Sequence, residues 1–201
     1  MKPVLLFTLG LALLPFTTPA HAAPEIGNPA PEFMANDVDG HHVMLSSLKG
    51  KTIVLEWSNP DCPFVHKQYD TGNMQAVQKE ATKDNVIWIT IDSSAKGKEG
   101  NYPAPELKKI YADQKANFSH LIIDESGEIG KLYAAKTTPH MFVINEKGVL
   151  VYAGAIDDKS GFEKEEVKTA KNYILAALND LKAGRPVAIS STKPYGCSVK
   201  Y

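Results

Sequence analysis

The sequence predicts an α/β domain in which a central mixed sheet is flanked by helices and preceded by a β-hairpin. Two β-branched, apolar runs, Thr52-Ile53-Val54-Leu55-Glu56-Trp57 and Val86-Ile87-Trp88-Ile89-Thr90-Ile91, enclose a stretch of helical composition. Strand, helix, strand in that order calls for a right-handed crossover between parallel strands. Farther on, Met141-Phe142-Val143-Ile144, a turn at Asn145-Glu146-Lys147-Gly148 and Val149-Leu150-Val151-Tyr152 spell an antiparallel hairpin, which makes the sheet mixed.

The elements follow in order. Residues 27–37 are proline-rich, and Asp37-Val38-Asp39-Gly40 is a turn signal ahead of an extended stretch at 41–45, a hairpin-like lead-in. The run at 52–57 suits a strand buried on both faces. Helical composition covers residues 63–83, with a break near Thr71-Gly72. After the second strand and a polar loop at 93–102, Pro103 and Glu106 open a helix reaching about residue 115. A short extended piece at 120–123 and a one- or two-turn helix at 127–134 come before the hairpin. The last helix sets Val167, Ala170, Ile174, Ala177, Leu178 and Leu181 on one face, with Glu163, Glu165 and Glu166 at its start and Gly184 past its end. Residues 185–201 form a tail without periodicity that packing alone need not order.

Lys2, an uncharged run at 3–20 and the small-residue site Ala20-His21-Ala22 read as a secretory signal peptide cleaved before Ala23. Its apolar part, 4–14, falls short of the roughly 20 residues that span a bilayer. The expectation is therefore a periplasmic or secreted protein with no membrane attachment after cleavage, divided into a leader at 1–22, one domain at 23–184 and the tail. The 22 basic side chains, one of them Lys2, stand against 23 acidic ones, so charge offers no pointer to nucleic acid or anionic lipid. Two cysteines, Cys62 and Cys197, are too few for a disulfide scaffold even in an oxidising compartment.

The reactive candidate is Cys62, in Asn59-Pro60-Asp61-Cys62-Pro63-Phe64-Val65, where a buried strand hands over to a helix. Cys62 falls at the N-cap and Pro63 at the first helical position, where a missing N–H costs nothing. Unpaired first-turn N–H groups and the positive end of the helix dipole favour a thiolate at a partly open position. The bland reading of the same residue is an inert buried thiol.

Three motifs carry a family resemblance. Gly27-Asn28-Pro29-Ala30-Pro31-Glu32-Phe33, followed by Asp37, Gly40, Leu45, Leu48 and Gly50-Lys51, resembles the start of redoxin domains of the alkyl hydroperoxide reductase and thiol-specific antioxidant family. The Cys62-Pro63 helix start is similar to that of peroxiredoxins. Thr137-Thr138-Pro139-His140, ahead of a core hairpin, is similar to the thioredoxin-fold turn whose cis-proline faces the active cysteine and leaves the preceding backbone free for a substrate peptide. The resemblance implies a thioredoxin-like fold of the peroxiredoxin-like branch, acting without a cofactor. Val65 stands where thioredoxins carry their second cysteine, and Asn59 replaces the Thr or Ser of peroxiredoxins. Arg185, the one arginine, is not placed like the peroxiredoxin arginine, which leaves Lys67 or His66 to lend charge to the sulfur.

The expected chemistry is thiol-dependent oxidoreduction. The Cys62 thiolate attacks a peroxide oxygen, giving a sulfenic acid, or a protein disulfide, giving a mixed disulfide. Cys197 or an external thiol protein, the electron donor, then resolves it, while Pro63, Thr138 and Pro139 shape the substrate groove. For Cys197 three readings stay open: a resolving thiol, a permanent bridge to Cys62, or a remote thiol that is free or paired with another chain. The rival function is a non-enzymatic binding module in which Cys62 and His66, at i and i+4, with His140 nearby, capture copper or a protein partner. One cysteine at the helix start is a weak metal signal, and no metal site is assigned.

Overall fold

The computed structural model describes residues 23–201, so the signal-peptide reading falls outside the described residues. Two short strands, β1 (Met34–Asn36) and β2 (His42–Met44), pair antiparallel as the lead-in hairpin. β3 (Ile53–Trp57) opens the main sheet and leads into α1 (Pro63–Asp70) and α2 (Asn73–Lys83). β4 (Ile87–Asp92), α3 (Ala104–Asp113), β5 (His120–Ile123) and α4 (Glu128–Leu132) follow. A two-residue strand β6 (Thr137–Thr138) precedes β7 (His140–Ile144) and β8 (Leu150–Gly154), and α5 (Tyr173–Lys182) packs before the tail strand β9 (Cys197–Ser198).

The main sheet runs β5-β4-β3-β7-β8, with β3, β4 and β5 parallel and β7 antiparallel to both of its neighbours. Alternation along β3 sends Ile53, Leu55 and Trp57 into one core with Phe33, Val43, Ile129 and Tyr133. Val54 goes to the opposite core with Tyr69, Val77, Leu107, Tyr111, Ile174 and Ala177. Each such aliphatic side chain contributes about 1.5–3 kcal/mol by leaving water.

One acid lies in this apolar strand. Glu56 is fully buried on the helical face, where its carboxyl oxygens accept from Trp88 Nε1 (2.8 Å), Tyr69 Oη (3.0 Å), Thr90 Oγ1 (3.1 Å) and Gln78 Nε2 (3.2 Å). Burial raises its pKa above the ordinary carboxylate value against the pull of these donors.

The helix break anticipated near Thr71-Gly72 is real. Gly72 takes φ +76°, a left-handed conformation that glycine alone enters without penalty, and it ends the first helix and starts the second. The last helix differs from its expectation. Residues Lys164–Thr169 form a 3₁₀ turn, Ala170 is extended, and the α-helix starts only at Tyr173 with Asn172 Oδ1 accepting from the Leu175 N–H at 2.9 Å. Backbone pairing of Asp158 with Lys171 and of Ile156 with Tyr173 interrupts the helical path. The tail is also more ordered than expected. Ser191 bridges Ala153, Thr192 Oγ1 accepts from the Ala155 N–H at 2.9 Å, and β9 then pairs with β6.

Candidate active site

The site forms at the carboxyl end of β3. The Cys62 N–H bonds to the Asn59 carbonyl at 3.1 Å, and Cys62 itself is the N-cap of α1, with φ −76° and ψ 123°. Pro63 occupies the first helical turn as expected and is exposed. The preceding loop is held by its own side chains. Asn59 Oδ1 accepts from the Asp61 N–H at 2.8 Å while its Nδ2 donates to the Glu99 carbonyl at 2.9 Å, and Asp61 accepts from Tyr102 Oη at 2.8 Å and from the Gly100 N–H at 3.0 Å.

Across from Cys62, the Thr138-Pro139 bond is cis, and the Thr138 carbonyl accepts from Cys62 Sγ at 3.1 Å. The Thr138 backbone is not free, as expected for a vacant groove, but pairs with Cys197, and Thr137 pairs with Ser198. Because the Thr138 carbonyl also accepts from Cys62 Sγ, this pairing brings the two cysteines to the same turn, and neither is in a disulfide. Burial first, and then the proximity of Cys62, push the Cys197 thiol well above the ordinary thiol range. Of the three readings left open for Cys197, a remote position is therefore corrected.

The partly open position anticipated for Cys62 is also corrected: the residue is 1 % exposed. The tail covers it. Tyr195 stands 6.0 Å from the Phe64 ring, donates from Oη to Asp157 at 2.6 Å, and lies beneath the ammonium of Lys67 at 5.5 Å. Beside it, Thr138 Oγ1 is buried without a hydrogen-bond partner among the described residues.

Neither cation suggested for the sulfur reaches it. Lys67 Nζ is buried and donates to the carbonyls of Lys159 (2.7 Å) and Gly161 (2.9 Å) and to Glu166 (2.8 Å), so it clamps the loop before α5. His66 faces Asp70 at 3.4 Å, and Arg185 pairs with Asp180. His140 Nδ1 accepts from the Lys136 N–H at 3.2 Å; burial, then the charge of Lys136, holds the imidazole down to about 4 and keeps it neutral at physiological pH. Among the described residues, no cluster of three or more His, Cys, Asp or Glu side chains is arranged to hold a metal, so the Cys62–His66–His140 reading lacks its donor set.

Sequence reasoning missed two residues that close the site, Tyr195 and Gly196. Gly196 has φ +133°, and a Cβ there would meet the Thr138 carbonyl oxygen at 2.0 Å. The available signal was a glycine directly before the tail cysteine.

Residues 26–153 match the AhpC/TSA family. The chain belongs to that family. The AhpC/TSA chain is also similar to the thiol-disulfide oxidoreductase ResA of Bacillus thuringiensis subsp. konkukian, with 25 % identity over 134 residues that cover 63 % of this chain and 68 % of that one. Among solved structures it resembles an uncharacterized conserved protein from Geobacillus kaustophilus, with a TM-score of 0.74 and 27 % identity over 88 % of this chain and 92 % of that one. A hypothetical protein from Sinorhizobium meliloti 1021 shares the fold at TM-score 0.74 and 18 % identity, covering 90 % and 96 %. The fold of this AhpC/TSA member is thioredoxin-like, a mixed five-stranded sheet with an N-terminal hairpin.

Proposed function

We propose that this AhpC/TSA member is an exported thiol-disulfide oxidoreductase in which Cys62 attacks and Cys197 resolves. The observation that carries the reading is that Thr138, whose carbonyl accepts from Cys62 Sγ, is also the strand partner of Cys197, so one residue brings both cysteines to one place. The Cys62 thiolate attacks one sulfur of a substrate disulfide, forming a mixed disulfide and expelling the other sulfur as a thiolate that takes up a proton. Cys197, once deprotonated, attacks Cys62, expels the remaining substrate sulfur, and leaves a Cys62–Cys197 disulfide. Two thiols of this protein are oxidised as one substrate disulfide becomes two thiols, and an external dithiol protein resets the pair. The position of Cys62 at the N-cap of α1 supports this division of roles, since first-turn N–H groups and the helix dipole favour a thiolate there.

Disulfide is the better-suited oxidant than peroxide, because the neighbours of Cys62 are a carbonyl and a second thiol while Lys67 and Arg185 are engaged elsewhere. The leader-like sequence at 1–22 supports export to the periplasm or beyond. The ResA similarity supports the reaction class.

Reduced, metal-free protein, given one equivalent of glutathione disulfide or of hydrogen peroxide and then mapped by mass spectrometry, tests the proposal. The expected result is an intramolecular Cys62–Cys197 bridge formed faster by the disulfide, with dithiothreitol-driven turnover abolished in Cys62→Ser and a trapped mixed disulfide in Cys197→Ser. Turnover surviving Cys62→Ser overturns the reading; a bridge formed by peroxide alone replaces it with a peroxidase.

A further inference from the structure

The lead-in hairpin has an outer face that neither the core nor the thiol chemistry uses. Its register pairs Met34 with Met44 and Asn36 with His42. The Asp37 N–H donates to the His41 carbonyl at 3.0 Å and the Leu45 N–H to the Phe33 carbonyl at 3.2 Å, so the hydrogen-bonded positions of this ladder are 37–41, 35–43 and 33–45. Met34–Met44 and Asn36–His42 are then the non-hydrogen-bonded positions between them, where facing Cα atoms approach to about 4.5 Å and side chains stand closest. Alternation puts these four side chains on one face, while Val43 turns into the core beside Phe33 and Leu45.

Packing does not account for what this face displays. Met74 and Met141 are fully buried, whereas Met34 is 67 % and Met44 41 % exposed, so the two methionines left in water among the described residues are the directly opposed pair. His42 is exposed too. Its ring is engaged by no hydrogen bond or ion pair among the described residues, unlike His41 and His120, which both hold Asp37. Met44 is the next residue of its strand on the same face as His42, and Met34 is its diagonal neighbour, at the distance of about 7–8 Å that long side chains span.

We propose that Met34, Met44 and His42 form a binding site for a single cuprous ion. Thioether sulfur is a soft donor that selects Cu(I) over zinc or magnesium, and imidazole suits copper as well. A thioether has no proton to lose, so two of the three donors are ready to coordinate at any pH. They are not the His, Cys, Asp or Glu side chains of which no metal cluster forms among the described residues. The backbone beneath them is already fixed: Phe33, Val43 and Leu45 are buried, and Asp37 holds the turn end through the Asp39 and His41 N–H groups at 3.0 and 2.9 Å. Two rigid strands thus present the donors, with no loop to order on binding. The site shares no residue with the Cys62 site and does not depend on the reaction proposed there.

The test uses the full chain carrying Cys62→Ser and Cys197→Ser, which removes the thiols that would otherwise capture copper, titrated without oxygen with Cu(I) against the chromophoric chelator bicinchoninate. One equivalent is expected to bind, shifting the methyl NMR signals of Met34 and Met44 and leaving those of the buried Met74 and Met141 in place. Adding Met34→Leu and Met44→Leu, swaps of nearly equal volume on an exposed face, keeps the fold. The affinity for Cu(I) is expected to fall by more than the roughly 10–100-fold that loss of an outer-shell partner costs at a metal site. His42→Asn should weaken binding in the same direction, and zinc should leave both methyl signals unmoved. With Cys62 and Cys197 intact, the two leucine substitutions should not change turnover of a model disulfide. Copper held equally tightly by the leucine variant, or unshifted Met34 and Met44 methyls at one equivalent, overturns the proposal. Saturation at half an equivalent with formation of a dimer also overturns it, because the ion would then join two chains.

Discussion

At the scale of single residues, Glu56 decides more than its position in an apolar strand suggests. Four side chains from three elements, Tyr69, Gln78, Trp88 and Thr90, all spend a donor on it. Removing the carboxyl strands those donors in a dry core, and each unsatisfied buried group costs about 1–3 kcal/mol. Glu56→Ala is therefore expected to lose on the order of 3–5 kcal/mol in urea unfolding, the scale seen when a buried polar partner is deleted. Glu56→Gln, which keeps the acceptor oxygen and resembles the protonated acid that burial favours, should cost under about 1.5 kcal/mol. Equal losses in both variants would show that shape, not hydrogen bonding, is what the position supplies. The acid was legible in the sequence as the one charged residue between Leu55 and Trp57, but its four donors come from residues 69 to 90 and no local pattern announces them.

At the scale of elements, what was legible followed from local rules. The strands at β3 and β4, the broken helix at Gly72 and the hairpin of β7 and β8 all lie where alternation, apolar runs and turn residues put them. The Cys62-Pro63 cap and the Thr138-Pro139 turn were equally visible, because both are motifs of adjacent residues. What was not legible depends on partners distant in sequence. The stretch from Glu163 to Ala170 reads as helix by its apolar spacing, yet Lys67, almost a hundred residues earlier, holds it through Glu166. The tail has no period to read, and its order comes from Phe64, Asp157, Thr138 and Ala135.

The lead-in hairpin gives a further test at this scale. Burial disfavours the Asp37 carboxylate, but donors at His120 (2.8 Å), the His41 N–H (2.9 Å), the His41 ring (3.1 Å) and the Asp39 N–H (3.0 Å) outweigh it and bring the pKa from 3.8 to about 2. Since the folded value lies below the unfolded one, this latch between the hairpin and β5 contributes fully above about pH 4 and is lost as pH falls toward 2. Asp37→Asn should accordingly cost up to about 2 kcal/mol at pH 7 and progressively less on acidification, read from denaturant midpoints at each pH. A gap that stays constant with pH would mean the carboxylate charge is not what holds the hairpin.

At the scale of the whole molecule, the site joins the first core helix to the last residues of the chain, so its redox state is coupled to the fold as a unit. A Cys62–Cys197 bridge would close a loop of about 135 residues, and in the chain-entropy picture such a closure lowers the freedom of the unfolded chain by up to about 4–5 kcal/mol. The β6–β9 pair already places Cys197 at Thr138, whose carbonyl accepts from Cys62 Sγ, so a bridge would join two segments that the native fold has brought to one turn. The oxidised protein is then expected to melt several degrees above the reduced one, at about 2–4 °C per kcal/mol for a chain of this length, and Cys197→Ser should erase the difference. Thermodynamic linkage gives that difference a direction for electron flow. A disulfide that stabilises the fold is resistant to reduction, so its dithiol is a strong reductant, and each 1.4 kcal/mol lowers the potential by about 30 mV. The sign of the melting difference thus separates a reductase from an oxidase without any substrate in hand: a higher oxidised midpoint fits a protein that reduces its partners, and a lower one would make it a donor of disulfides.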